Sequence, residues 1–216
     1  FLSIFAHKFN RSVQFMSITV SKTRDTLVDV ARQLFARMGY HHTTMNDIAQ
    51  ASQKGRRTLY TYFKNKDDIF SAVVEAELNK LLEMLLEVAA KQLPADEKLI
   101  SFIYMRLDAV KTIVFRNGTL RATFFRDIWR VEKARKKFDQ RETEIICNIL
   151  EEGVKTGIFH VPDIRVTALI IHHALKGLEV PYIRGHLSDS ERDRIIERQN
   201  MMNLIFNGIK IKNNVY

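Results

Sequence analysis

Cys147 is the single cysteine among 216 residues, so no intramolecular disulfide can form and thiolates cannot build a zinc cluster. Turn formers are scarce too. Eight Gly and three Pro are too few for an all-β sandwich or barrel, whose short strands each need a turn. The apolar opening FLSIFAHKFNRSVQFM is broken by Lys8 and Arg11, well short of the roughly 18 apolar residues of a membrane span. It also lacks the basic-then-apolar order of a secretory signal. No nucleophile motif, phosphate-cradling glycine loop or metal-ligand spacing occurs. Asp67-Asp68 fits helix capping and Glu151-Glu152 a solvated helix face. These absences argue against an enzyme, a cofactor, a metal site and a membrane partner, and they suit a reducing cytoplasm.

What is present is unevenly placed. The chain is 46% hydrophobic and 27% charged, enough apolar residues for a proper core, with a net charge of +9. Residues 1–66 hold eleven Lys/Arg against three Asp/Glu, a net +8, while residues 67–216 are left with +1. A charge so localised points to a polyanion site at one end. Its densest part, KGRRTLYTYFKNK at residues 54–66, carries five positive charges, three aromatic rings and no acid.

Helical periodicity runs through most of the chain, and no segment alternates with period two, so the expected class is all-α. Residues 1–20 are expected to be a flexible leader, with Met16 a reasonable start. From Ser21, the apolar positions Leu27, Val30, Ala31, Leu34, Phe35 and Met38 form one stripe that Gly39 stops. Thr43 or Thr44 caps a short helix with Ile48 and Ala49 inward, and a third short helix runs through Arg56–Tyr60. Asn65 opens a long helix that continues to about Leu93 and is ended by Pro94. Further helices are expected over Asp96–Val114, Phe138–Thr156, from Pro162-Asp163 with an interruption near Pro181 and Gly185, and from Ser188 to about Gly208. The segment Thr119–Ala134 is aromatic-rich.

Three helices within about 45 residues, the last two short and tightly joined, describe a helix-turn-helix unit over residues 21–66. Leu59 and Phe63 would anchor its third helix, leaving Lys54, Arg56 and Arg57 to face a groove. An arginine can donate two parallel hydrogen bonds to guanine, worth about 1–3 kcal/mol of discrimination. The run TTMNDIAQASQKGRRTLYTYFKNKDDI, residues 43–69, resembles the DNA-binding signature of TetR-family transcriptional regulators, with T-L-Y-x-Y-F-x-x-K its most specific part. The resemblance implies that Thr44, Tyr62 and Lys66 contact phosphates. It also implies that Arg56, Arg57 and Tyr60 face base edges, with Thr58 serving either. The family often has Ala-Gly-Val-Ser where this chain has Ser52, Gln53, Lys54 and Gly55, and Arg57 replaces a common small residue.

Residues 67–216 would then bind an effector and dimerise. Ile195, Gln199, Met202, Phe206 and Ile209 follow four-three-four-three steps, a continuous seam. Val166, Ile170, His173, Ala174 and Gly177 form a second stripe. The family resemblance implies a homodimer on a palindromic double-stranded operator, and a cavity for a small, largely apolar effector that releases a repressor. Phe102, Met105, Phe124, Phe125 and Trp129 are candidate lining residues. His172 and His173, with no acidic or thiol partner at suitable spacing, read as solvated or satisfied histidines. The competing reading is a helical interaction protein gripping an acidic protein or membrane surface through its basic end.

Overall fold

The computed structural model describes residues 22–116 and 128–184, together with helical positions at 200, 203 and 204. The leader, Ser188, Phe124, Phe125, and the seam residues Ile195, Gln199, Met202, Phe206 and Ile209 lie outside the described residues, as does the side chain of Trp129. Two compact units divide the chain. The first takes residues 22–75 and 128–131 of those described, the second 76–116 and 132–184. Among the described residues, all the regular elements are α-helices.

In the first unit, α1 covers residues 22–38. Leu27, Ala31, Leu34 and Phe35 are buried along it, as a one-sided stripe of period 3.6 requires. Gly39 ends the helix at φ 96°, a left-handed conformation that side chains resist. α2 (Met45–Ala51) opens on a capping box. The Asp47 amide donates to Thr44 Oγ1 at 3.2 Å, and the Thr44 amide donates to Asp47 Oδ2 at 2.8 Å, so two otherwise orphaned donors satisfy each other's side chains. The Thr44 amide and hydroxyl, both donating to Asp47 Oδ2 at 2.8 Å, hold the Asp47 carboxyl below the usual carboxylate range. Thr43 is buried instead, its hydroxyl donating to Gly39 O at 2.7 Å.

α3 (Arg56–Tyr62) begins at Gly55 without a side-chain cap. The turn before it is tight, and Gln53 takes φ 54° there. Ile48, Ala49, Leu59 and Phe63 are buried in this unit. The rings of Phe35, Tyr40 and Phe70 pack at centroid distances of 5.6, 5.9 and 5.1 Å, two of the three pairs edge-on, as the ring quadrupole favours. At the start of α4 (Lys66–Ala89), Asn65 Oδ1 accepts from the Asp68 amide at 2.9 Å. Asp68 in turn accepts from the Lys64 amide at 3.0 Å. The helix stops at Ala89 rather than near Leu93, where tighter turns take over from the helical pattern: the Lys91 amide donates to Val88 O at 3.2 Å and the Leu93 amide to Lys91 O at 3.0 Å.

The second unit is built from the rest of α4, α5 (Ala95–Arg116), α6 (Ile128–Lys155) from Glu132 onward, and α7 (Ile164–Arg184). α6 merges what periodicity split at Ala134 and Phe138. Ala134, Arg135 and Phe138 are all buried and neither Gly nor Pro intervenes before Gly153, so nothing breaks the helix. A Cβ on Gly153 would stand 2.0 Å from the Phe159 ring, and the Phe159 amide donates back to Gly153 O at 3.0 Å. The missing side chain is therefore the seat of Phe159. Of the interruption expected near Pro181 and Gly185, Gly185 lies outside the described residues, and α7 continues through Pro181. Proline leaves the carbonyl four residues back without its amide partner, and that residue is Gly177, exposed to water.

This unit also buries charge. Arg106, fully enclosed, donates from Nε to Glu142 Oε1 at 2.7 Å and places Nη2 2.6 Å from Glu179 Oε1 in an off-axis ion pair. Arg135 donates to both oxygens of Glu179 at 2.7 and 2.9 Å. His172 Nδ1 lies 2.6 Å from Glu142 Oε2. Burial works against a charged Glu142, but the hydrogen bond from His172 and the charge of Arg106 outweigh it and hold the carboxyl below its ordinary value. Burial likewise opposes the charge on Arg135, and Glu179 more than restores it. α5, α6 and α7 thus share one polar network inside an apolar core of Leu99, Phe102, Ile146, Leu150 and Ile171.

Candidate nucleic-acid interface

α3 has two faces of opposite character. Leu59 is 0% exposed and Phe63 3%, four residues apart on the inward side. Arg56, Arg57, Tyr60 and Thr61 occupy the other side, all exposed, with Tyr60 at 45%. These spacings of one, four and five residues share a helical face. Lys54 before the helix and Lys64 after it are exposed as well, while Thr58 and Tyr62 are half-buried. Thr61 and Lys64 extend the face beyond the residues that the sequence pointed to, and their spacing from Arg57 and Tyr60 was the available signal. The Thr61 hydroxyl donates to Arg57 O at 2.9 Å.

The residues assigned to phosphates have other engagements. Thr44 is exposed, and its hydroxyl serves the capping box. Lys66 turns its ammonium onto two backbone carbonyls, Tyr40 O at 2.8 Å and Thr43 O at 2.9 Å. It also lies 4.4 Å over the Tyr40 ring. Tyr40 was not singled out from the sequence, since an aromatic after Gly39 reads as plain core.

In the second unit, Phe102 is fully buried in the core, whereas Met105 lines a groove of about 500 Å³ between α4 and α5. Met84, Ala109 and Ile113 line that groove together with Glu77, Glu83, Glu87, Asp108 and Lys80, and Lys80 pairs with the buried Glu77 at 3.3 Å. Val166, Ile170, His173, Ala174 and Gly177 form one exposed strip along α7, with Val166 51% and Ile170 63% exposed. His172 and His173 part company. His173 is exposed, while His172 is buried on Glu142, an acidic partner thirty residues away that local spacing hid. Asp139, Glu142 and His172 bring one ligand atom each within 4.8 Å. Arg135, Lys176 and Arg106 already neutralise those carboxylates, so side-chain cations fill the role a metal would take.

No helix among the described residues is long and apolar enough to cross a membrane. Residues 27–73 match the family described as "Bacterial regulatory proteins, tetR family". The HTH-type transcriptional regulator YhgD of Bacillus subtilis is 24% identical over 67% of this chain and 76% of its own. The HTH-type transcriptional repressor KstR2 of Rhodococcus jostii is 28% identical over 64% of this chain and 69% of its own. A solved TetR/AcrR-family regulator from Thermobifida fusca superposes with a TM-score of 0.60 at 25% identity, over 86% of this chain and 97% of that one. An N-terminal helix-turn-helix followed by a helical second unit, with the signature of residues 43–69, places this chain in the TetR family of DNA-binding transcriptional regulators.

Proposed function

We propose that the protein is a homodimeric repressor that inserts α3 into the major groove of a palindromic operator and leaves it when a small effector binds the second unit. The observation that carries this reading is the outward set of Arg56, Arg57 and Tyr60 opposite the buried Leu59. Guanidinium groups on one exposed helix face suit bidentate donation to guanine. Lys54, Tyr62 and Thr44 flank them as phosphate contacts, which fix position without reading sequence. One such unit touches one half-site, and a dimer reaches two of them about 34 Å apart. The exposed α7 strip from Val166 to Gly177 is the surface we assign to dimerisation, together with the seam beginning at Ile195.

The groove holding Met84 and Met105 is the candidate effector site, its volume ordinary for a small-molecule pocket. Its apolar lining residues suit a largely apolar effector, and four carboxylates against one ammonium favour one that also carries positive charge. An effector that prefers a conformation with different α3 spacing lowers operator affinity in proportion to that preference. Repression is adopted as the family's usual outcome. The deciding experiment is selection of DNA from a random pool by the full-length protein. Recovery of one palindrome, with affinity falling steeply as salt rises, is expected. Retention of all sequences alike, or of none, would end this reading.

A further inference from the structure

We infer that Lys66 is a positioning residue for operator reading and makes no phosphate contact of its own. This rests on the DNA-binding reading above and departs from the role that the family signature implies for this lysine. Lys66 is the first residue of α4, yet its ammonium reaches back across the first unit to the turn between α1 and α2. There it donates to Tyr40 O at 2.8 Å and to Thr43 O at 2.9 Å, two carbonyls outside any helix. The charge lies 4.4 Å over the Tyr40 ring, within the distance at which a ring face attracts a cation. The neighbouring Asp67 accepts the Tyr40 hydroxyl at 2.6 Å, so two consecutive α4 residues grip one tyrosine. Tyr40 is 6% exposed and Thr43 0%, and the Thr43 hydroxyl is tied to Gly39 O at 2.7 Å.

The grip acts on DNA reading through geometry. α2 begins two residues after Thr43, on the Thr44 cap, and α3 follows within a turn of α2. Whatever fixes the carbonyls of Tyr40 and Thr43 fixes the angle at which α2 and α3 leave α1. Swinging the Lys66 ammonium out to a phosphate would strip a partner from the carbonyls of two buried residues and release that angle, so contact and clamp compete. Lys54, Arg56, Arg57 and Lys64 stand exposed at the same end of the unit and supply positive charge without that conflict.

The test compares full-length wild type, Lys66→Met and Lys54→Ala for binding to the selected palindrome and to scrambled DNA, over a range of salt. Methionine keeps an unbranched stem and deletes the ammonium. Losing a phosphate contact lowers the slope of log affinity against log salt by about 0.9 per contact. Lys54→Ala should show that loss and keep its preference for the palindrome. Lys66→Met should keep the wild-type slope and lose at least fivefold in the ratio of specific to scrambled binding, at a temperature where circular dichroism shows it folded. A role confined to stability would lower the melting temperature and leave that ratio unmoved, which overturns the proposal. A reduced slope with the ratio intact overturns it in favour of a phosphate contact. Should Lys66→Met fail to fold, Tyr40→Phe, which removes the hydroxyl bonded to Asp67, must show the same loss of ratio in milder form, and an unchanged ratio overturns the proposal. Failure of wild type to prefer any palindrome would instead sink the DNA-binding reading, a separate outcome.

Discussion

Arginine does opposite work in the two units. In the first, Arg56 and Arg57 stand in solvent on a seven-residue helix, with apolar anchors beneath them. In the second, Arg106 and Arg135 are 0% and 3% exposed and are matched by Glu142 and Glu179. The exposed pair costs folding little and keeps its donors for something outside the chain. The buried pair is committed, because an enclosed guanidinium without a carboxylate is among the more expensive things a fold can contain. The difference separates a surface built to meet another molecule from an interior built to keep three helices in register.

Breaking the interior half of that contrast should give the largest effect. Glu179→Ala removes the carboxylate shared by Arg106 and Arg135 and should cost about 3–5 kcal/mol, as loss of one partner from a buried pair does. Chemical denaturation would measure it, and a loss under 1 kcal/mol would show the network to be dispensable. The same interior should respond to acid. Because Glu142 has a lowered pKa in the folded state, its contribution is present above the ordinary carboxylate range and fades as pH falls through that range and below. Thermal melts of Glu142→Gln should therefore depend less on pH than wild type on the acid side.

The exposed half predicts a smaller and different signature. Arg57→Ala should leave unfolding free energy within about 0.5 kcal/mol of wild type, yet lose about 1–3 kcal/mol of preference at one base position. Competition binding against single-base operator variants, beside a denaturation curve, tests both parts. The smallest effect belongs to the turn between α2 and α3. Gln53 holds φ 54°, where a side chain is strained, and Gln53→Gly should stabilise by about 0.5–1 kcal/mol. An unchanged or lower denaturation midpoint would mean that the glutamine is held there by compensating contacts.

Much of this was legible in the residues. The stripe Leu27–Phe35 announced α1, and Thr-Leu-Tyr-x-Tyr-Phe announced the helix whose outward side is basic. Local spacing could not show contacts made across space. Arg106 meets Glu142 and Glu179, and His172 meets Glu142, from different helices. Nothing in one sequence tells a lysine aimed at solvent from one folded back on a turn, so the bonds of Lys66 to Tyr40 O and Thr43 O stayed hidden. Pro181 misled for a physical reason as well. Proline breaks a helix when the orphaned carbonyl is buried, and here that carbonyl belongs to the exposed Gly177.

α7 carries Glu179 and His172 on its inner side and Val166, Ile170 and Ala174 on its outer side. Advancing such a helix by one residue turns it through about 100°, which would swing both ionic groups away from Arg106, Arg135 and Glu142. The helix is consequently keyed against rolling. Any subunit that docks on the outer strip meets the same row of side chains at the same azimuth, because the charges behind it act as a detent.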